Sequence, residues 1–255
     1  MKPLILFGDT HRFPKSSLYK GLRAAGLRWI DGNRLRAPRE GVLMAWEKYP
    51  ECDIRARFKR VIGDRWLMNE HMNTDKDVID RAHEKAFGYG LAVDPRTYEG
   101  EAVQKSKKNA RHDGRIVRLP IDDPRPSKVY QLVIDNTDGA EVEDIRLEVL
   151  RGKPVICYAK RRLIAERFLN TLTSAAIVPV GDMLSADELA QIEAYCAGCH
   201  LDYGALDILR DRKSEKIHVC DANSTPRGPP KALSDMESAR AAGLIGEAFA
   251  AFLGG

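Results

Sequence analysis

The sequence predicts an α+β fold whose sheets carry the polar site of the protein. Between residues 101 and 160, five short β-rich segments are separated by Gly, Asp-Gly and Pro signals, as strands joined by turns are. Segments with the spacing of amphipathic helices come before and after this block. Two further predicted strands, before and after residue 214, carry oxygen-bearing side chains. We therefore expect the chemistry of the chain to lie on a sheet surface.

The first 70 residues contain the start of this fold. We expect a buried strand over residues 3–8 and a short helix over residues 16–25, which Gly26 ends. Residues 27–50 are punctuated by Gly and Pro, so we expect irregular structure there. Residues 53–62 and 66–69 are predicted to be strands.

Capping signals place the other helices. Thr74 is a predicted N-cap for a helix to about Phe87, where Gly88 stops it. Ser185 and Glu188 have capping-box spacing and open a helix to about residue 196. The central strands are predicted at residues 101–105, 115–119, 128–134, 142–150 and 154–159. A last helix covers residues 234–252, and its predicted inward side consists of Met236, Ala239, Leu244, Ala248 and Phe252.

Composition limits the class of protein. The chain has 255 residues, 44% hydrophobic and 31% charged, which is an ordinary globular composition for one large domain or two lobes. No apolar run approaches the roughly 20 residues of a membrane span, and the start of the chain, broken by Gly8 and Asp9, is too short for a signal-peptide core. We expect no membrane partner and a cytoplasmic, reducing setting in which the five cysteines are mostly free thiols.

Positive charge is concentrated near the N-terminus. Residues 1–65 contain 15 Lys and Arg against 7 Asp and Glu, a surplus of 8, whereas the whole chain has a net charge of +4. Such a surplus could bind nucleic acid or an anionic substrate. The charges are dispersed among apolar residues and no groove-reading motif accompanies them. Nucleic acid is therefore the less favoured partner, and a solvated surface is the simplest interpretation.

The most informative segment is a predicted hairpin over residues 202–226. A hairpin centred on Ser214 places Asp207 opposite Asp221. Asp221 and Asn223 are two residues apart, so on a strand they point to the same face, roughly 7 Å from each other. Two carboxylates and an amide oxygen suit a hard divalent ion, and Mg²⁺ typically takes only a few protein ligands besides water and phosphate oxygens. These three residues are the predicted metal ligands.

A lysine and the loop after it could bind phosphate. Lys105 ends a predicted strand, and the polar loop 107–114, which contains Lys107 and His112, follows it. Lysines at strand ends and backbone N–H groups of such loops can bind anions. The alternative is a solvated lysine before a turn.

The strand over residues 130–136 could hold an adenine ring. Gln131 and Ile134 would line that pocket, and Asp135 would accept hydrogen bonds from the ribose hydroxyls. The alternative is an ordinary strand whose Asp135 serves the following turn.

Cationic residues on the next two strands and their loop could surround a triphosphate. Arg146, Lys160 and Arg167 are predicted to neutralise phosphoryl charge, and Asn170 is predicted to position the phosphoryl end of the substrate. The alternative is a surface run of charge.

Two other features of the sequence concern other kinds of chemistry. Cys196 to His200 has the C-x-x-C-H spacing of haem attachment. No export signal accompanies it, and no second ligand pair supports zinc. The simplest interpretation is two core thiols at the end of a helix. His11, His71 and His83 show no nucleophile–base spacing, no nucleophile elbow supports a hydrolase, and His83 is expected on the surface.

Taken in order, these segments resemble the ATP-grasp superfamily. Its members have a strand lysine before a phosphate loop, an adenine-contacting strand, a strand and loop with arginine and asparagine, and a D…[DE]-x-N metal hairpin. The similar parts here are residues 103–105, 129–135 and 142–170, and Asp207 with Asp221-Ala222-Asn223. The resemblance covers roughly residues 70–230. Residues 161–170 look like the ligase branch that includes RimK-type and glutathione-synthetase-type enzymes.

The resemblance implies two α+β lobes that enclose a nucleotide cleft. A reduced N-terminal α/β region would cover residues 1–70, a small lobe with the lysine loop residues 71–135, and a large lobe with the metal hairpin residues 136–255. It further implies an ATP- and Mg²⁺-dependent ligase that joins a small-molecule or peptide carboxylate to an amine through an acylphosphate.

Some positions depart from the family pattern. Asp221 stands where the family often has Glu, Ala205 stands where some ligases of D-alanine type have arginine, and the phosphate loop is poor in glycine. The region before residue 70 is short. These departures leave two alternatives: a nucleotide-binding module or phosphotransferase without ligase activity, and a nucleic-acid-binding protein that uses the basic N-terminal region.

Overall fold

The computed structural model describes residues 1–47, 53–108, 111 and 113–255. Its N-terminal part is a parallel sheet of order β2-β1-β3-β4. The strands are β1 (Leu4–Gly8), β2 (Trp29–Asp31), β3 (Val42–Trp46) and β4 (Leu67–Met68). The helices are α1 (Ser17–Ala24), α2 (Ile54–Arg57) and α3 (Lys59–Ile62). Both faces of this sheet are covered, one by α2 and α3 and the other by α1 and the C-terminal helix.

Two predictions for this region were wrong. We expected irregular structure over residues 27–50, but the described part of this range, residues 27–47, contains β2 and β3. The run from Val42 to Trp46 is apolar throughout, as is typical of a parallel strand buried on both faces. Residues 53–62 form two short helices instead of a strand. Asp53 caps the first by accepting from the N–H of Ala56, and Ile54, Val61 and Ile62 turn toward the sheet at helical spacing.

The second part is a three-stranded antiparallel sheet of order β6-β5-β7. Helix α4 (Lys76–Phe87) precedes β5 (Gly100–Ser106), β6 (Arg115–Leu119) and β7 (Lys128–Leu132). The helix begins one residue later than predicted, since Asp75 and not Thr74 is its N-cap. Gly88 ends it in the left-handed region, with φ of 75°, which glycine adopts without strain.

The third part is a large antiparallel sheet of order β11-β10-β9-β12-β13, with β8 paired to β9. Its strands are β8 (Thr137–Asp138), β9 (Glu141–Leu150), β10 (Lys153–Leu163), β11 (Ser174–Val178), β12 (Tyr203–Arg210) and β13 (Ile217–Asn223). The remaining helices are α5 (Val180–Met183), α6 (Ala186–Gly198) and α7 (Asp235–Gly254). The apolar face of this sheet packs against α4 and α6.

The buried side of α7 differs from the predicted one. Met236 is 80% exposed, whereas Ala241, Ile245, Phe249 and Leu253 are buried. The helix is rich in alanine on most sides, so spacing alone does not identify its inward side. It packs closely against α1, where a Cβ at residue 246 would lie 2.5 Å from the backbone oxygen of Gly21.

The cysteine motif is part of the core. Cys196 and Cys199 are buried free thiols at the end of α6, as the simplest interpretation predicted. His83, in contrast, is fully buried and not on the surface. In the described residues, no helix has both the length and the apolar character required to cross a membrane.

Candidate functional site

A cleft of about 1170 Å³ is lined by residues of both antiparallel sheets and of the N-terminal region. The strands that line it present polar side chains at alternate positions, and their other positions face the core. On β9 these are Asp144 and Arg146, and on β10 they are Lys160 and Arg162. The period-2 alternation of strands therefore builds a charged floor on one face of an otherwise apolar sheet.

The hairpin of β12 and β13 brings its predicted ligands together in this cleft. Asp207 pairs with Asp221, and Ala205 pairs with Asn223. Asp207, Asp221 and Asn223 all line the cleft. The predicted placement of Asp207 opposite Asp221 is therefore confirmed.

A β-bulge at Cys220 interrupts the alternation of β13. Asp207 pairs with Asp221, but the next residue, Ile208, pairs with Val219, so Cys220 is an extra residue in β13. Val219 before the bulge and Ala222 after it both face the core, although they are three positions apart. Because the bulge absorbs the extra residue, Asp221 stays opposite Asp207, and Asp221 and Asn223 face the cleft.

Each metal-ligand candidate has a partner within the chain. Asp207 accepts hydrogen bonds from Nζ of Lys160 at 2.8 Å and from Nη1 of Arg146 at 3.1 Å. Burial alone would raise the pKa of Asp207, but these two cations outweigh it and hold the pKa well below its usual value. Asp221 is paired with Lys76, and Oδ1 of Asn223 accepts from the N–H of Thr225 at 2.9 Å.

Two lysines approach β13, Lys105 from the smaller sheet and Lys76 from the start of α4. Nζ of Lys105 donates to the backbone oxygen of Cys220 at 3.0 Å, at the bulge itself. Burial, and then repulsion by Lys76, lower the pKa of Lys105. The backbone N–H of Lys76 donates to the oxygen of Lys107 at 2.8 Å, so the start of α4 is tied to the loop after β5.

Sequence reasoning missed Lys76, although a signal was present. It is the first residue of α4 and is buried. A cation at a helix N-terminus opposes the helix dipole, so such a residue needs a compensating partner. Asp221 supplies that partner from 145 residues away.

Of the predicted nucleotide-binding residues that the structure describes, some line the cleft and others do not. Gln131 and Ile134 line the cleft, but the amide of Gln131 donates to both oxygens of Asp80, at 2.6 and 2.7 Å. Asp135 and Lys107 are not among the lining residues, and the carboxylate of Asp135 accepts from Thr137 in the turn that follows. His112 lies outside the described residues.

The predicted cationic residues line the cleft together. Arg146, Lys160, Arg167 and Asn170 are all lining residues. Nη2 of Arg167 donates to the oxygen of Ile134 at 2.9 Å, which connects the loop after β10 to the strand end after β7. This arrangement is not a solvated run of surface charge, because Lys160 is buried as well as paired.

The donor set fits Mg²⁺ better than a soft metal. The part of the chain that the structure describes contains no cluster of three or more His, Cys, Asp and Glu side chains suited to a metal. The hairpin offers two carboxylates and one amide oxygen instead, which are hard ligands. Such a partial ligand set is typical of Mg²⁺ sites that are completed by water and phosphate oxygens.

Comparison with known proteins identifies the fold. No family model matches the sequence, and none of the curated proteins matches it. The structure of the ATP-grasp ligase PsnB, complexed with a minimal precursor, superposes with a TM-score of 0.58 at 14% identity, covering 98% of this chain and 99% of that one. The D-cycloserine synthetase DcsG gives 0.56 at 16% identity, over 98% and 99%.

A third neighbour is a RiPP-associated ATP-grasp ligase from Chryseobacterium gregarium, in complex with ADP and a leader and core peptide. It gives a TM-score of 0.51 at 12% identity, and the match covers 99% of this chain and 97% of that one. The present chain therefore has the ATP-grasp fold, over nearly its whole length.

Proposed function

We propose that this chain of ATP-grasp fold is an ATP- and Mg²⁺-dependent ligase that joins a carboxylate to an amine. The observation that carries the proposal is the pair Asp207 and Asp221, which lie opposite each other in a cleft. Clustered cations line the same cleft, among them Lys76 at the start of α4 and Lys105, Arg146 and Lys160 on the two sheets. Paired carboxylates beside clustered cations suit a nucleotide bound with a divalent ion.

In this proposal the three parts of the chain have separate tasks. Residues 71–135 cover the nucleotide, with Lys105 and Lys76 on its phosphates and Gln131 and Ile134 beside the base. Residues 136–255 form the charged floor and hold the metal. Residues 1–70 take part in binding the second substrate. The enzyme would act in the cytoplasm, and Cys157, Cys196, Cys199 and Cys220 are free thiols, as that setting requires.

The chemistry would proceed in two transfers. The carboxylate oxygen of the first substrate attacks the γ-phosphorus of ATP, and ADP leaves. The amine then attacks the carbonyl carbon of the acylphosphate, and phosphate leaves. Arg146, Lys160 and Arg167 would bind the phosphoryl oxygens, and Asn170 would orient the phosphoryl end of the substrate.

Asp207, Asp221 and Asn223 would hold Mg²⁺, which supplies a positive charge that stabilises negative charge on phosphate oxygens. Within the chain, Lys160 and Arg146 keep Asp207 ionised, so the carboxylate is ready to bind a cation at neutral pH. Lys76 forms an ion pair with Asp221.

The proposal is tested by measuring ADP release with candidate carboxylates and amines. Asp207→Asn and Asp221→Asn should each abolish Mg²⁺-dependent ADP release while the circular dichroism spectrum is unchanged. Asp123→Asn is the matched control, since Asp123 is exposed and does not line the cleft. Full turnover in either hairpin variant would refute the assignment. ADP release with a phosphorylated product and without free phosphate would favour a phosphotransferase.

A further inference from the structure

The cleft contains more Lys and Arg side chains than those proposed above to bind the phosphates. Among the described residues, its lining contains thirteen Lys and Arg side chains against five Asp. Seven of the cations belong to the two antiparallel sheets and the loops that join their strands, and an eighth, Lys76, is the first residue of α4. The other five belong to the N-terminal region and to the loop after β13, and we call them the cationic rim. The rim consists of Arg12, Lys15, Lys20, Arg227 and Lys231.

The rim comes from two segments that the backbone holds side by side. Ser16 forms a β-bridge with Arg227, and the N–H of Ser17 donates to the oxygen of Pro226 at 3.2 Å. The hydroxyl of Ser17 also donates to the buried carboxylate of Glu148 on β9, at 2.9 Å. The start of α1 is thereby fixed to both the loop and the large sheet. The rim is therefore a built part of the cleft wall.

The rim begins shortly after the end of β13. Asn223 is the last residue of β13, and its side chain accepts a hydrogen bond from the N–H of Thr225. Arg227 lies two residues after Thr225. A group bound at the rim would thus lie next to the metal end of the cleft, on the side of the N-terminal region.

The rim cations are available to a ligand. All five are exposed, and among the residues that the structure describes none of the five forms an ion pair with a carboxylate. Asp9 is the one acidic residue that lines the cleft among the described residues of the N-terminal region. Five unpaired cations at the mouth of a cleft create a positive potential that attracts anions.

We propose that the cationic rim binds the carboxylates of an acidic second substrate, which is an acidic peptide or a small amine that carries several carboxylates. The inference rests on the proposed function, because it places this substrate beside the ATP end of the same cleft. It also gives a role to the N-terminal surplus of positive charge, since Arg12, Lys15 and Lys20 belong to it.

Binding is measured directly, by fluorescence anisotropy of a labelled hexaglutamate peptide at about 50 mM salt. A hexaglutamine peptide of equal length should bind at least about tenfold more weakly, and salt should weaken hexaglutamate binding because exposed charge pairs are screened. Unlabelled citrate as competitor distinguishes the two sources: displacement at concentrations similar to unlabelled hexaglutamate indicates a small polycarboxylate, and weaker displacement indicates a peptide.

The variant Arg227→Glu/Lys231→Glu should weaken hexaglutamate binding about tenfold or more. Its control is Arg36→Glu/Lys213→Glu, which makes the same change in net charge at two exposed positions outside the cleft. The control should change binding by about threefold or less. Thermal unfolding of both variants establishes that they are folded.

Equal loss of binding in the rim variant and the control would overturn the inference, as would tighter binding of a single-stranded oligonucleotide at the rim. The measurement needs no ATP turnover. If no ADP release is ever found, hexaglutamate binding still decides the inference, and if hexaglutamate does not bind, the Asp207 and Asp221 variants still decide the proposed function.

Discussion

A buried histidine makes the stability of this fold sensitive to acid. His83 on α4 is 0% exposed, and its ring stacks on Phe87 with centroids 4.3 Å apart. The ring of His218 on β13 lies 5.7 Å away, and Tyr89 completes the cluster. In the described part of the chain, neither nitrogen of His83 has a hydrogen-bond partner. A protonated imidazole would therefore be a buried charge without compensation.

The magnitude follows from the pKa of His83. Burial, and then the neighbouring His218, lower this pKa from 6.5 to about 4. The unfolded chain therefore binds more protons than the folded one between these two values, so stability is complete above pH 6.5 and is lost as the pH falls toward 4. At about 1.4 kcal/mol for each pH unit, the loss at pH 4.5 is about 2.5 kcal/mol.

The assay is urea unfolding of the wild type and of His83→Leu at pH 7.5 and pH 4.5. Other groups also titrate in this range, so the measured quantity is the difference between the two proteins. The wild type should lose about 2.5 kcal/mol more than the variant on acidification. His11→Leu, at an exposed histidine, is the control and should lose as much as the wild type. Equal losses in the wild type and in His83→Leu would refute the reasoning.

Two further predictions concern the N-terminal sheet and the C-terminal helix. Burial, and then repulsion by Asp9, raise the pKa of Glu47 to about 7, so its contribution to stability is present at low pH and is lost as the pH rises through 7. Glu47→Gln should therefore unfold at a higher temperature than the wild type at pH 8 and at the same temperature near pH 4. A calorimetric result with no such pH dependence would contradict this. Gly246→Ala should lower the free energy of unfolding by about 1–3 kcal/mol, because its Cβ would lie 2.5 Å from the backbone oxygen of Gly21. Gly243→Ala, where no atom lies within 4 Å of the added Cβ, should raise it by up to about 1 kcal/mol in the same urea titration.

The metal hairpin could be predicted from sequence because each signal was local. A period of two, a polar turn and three oxygen-bearing side chains predicted both strands and the pairing of Asp207 with Asp221, which the structure confirms. The bulge at Cys220 could not be predicted, since an extra strand residue has no signature in residue types. Central strands with alternating patterns were found for the same reason as the hairpin.

The N-terminal sheet was harder to predict because its elements are short. β2 has three residues and α2 has four, so each contains little more than one period of the pattern that identifies it. Tertiary contacts decide such segments: Ile54 is helical because the sheet behind it has a face to cover. Lys76 and the rim were missed as site residues because their partners and neighbours are distant along the chain.

The extra residue in β13 does not alter which side chains face the cleft, because the pairs on both sides of the bulge stay in register. Loss of the single residue Cys220 would leave a regular ladder in which Asp221 still lies opposite Asp207 and Val219 opposite Ile208. That deletion would instead remove the backbone oxygen that accepts from Nζ of Lys105. Loss of Ala222 would have the opposite effect, because Asn223 would move to the position opposite Leu206 and turn toward the apolar interior. Relatives could therefore lack the bulge and keep both ligands, whereas a one-residue deletion after Asp221 would remove Asn223 from the cleft.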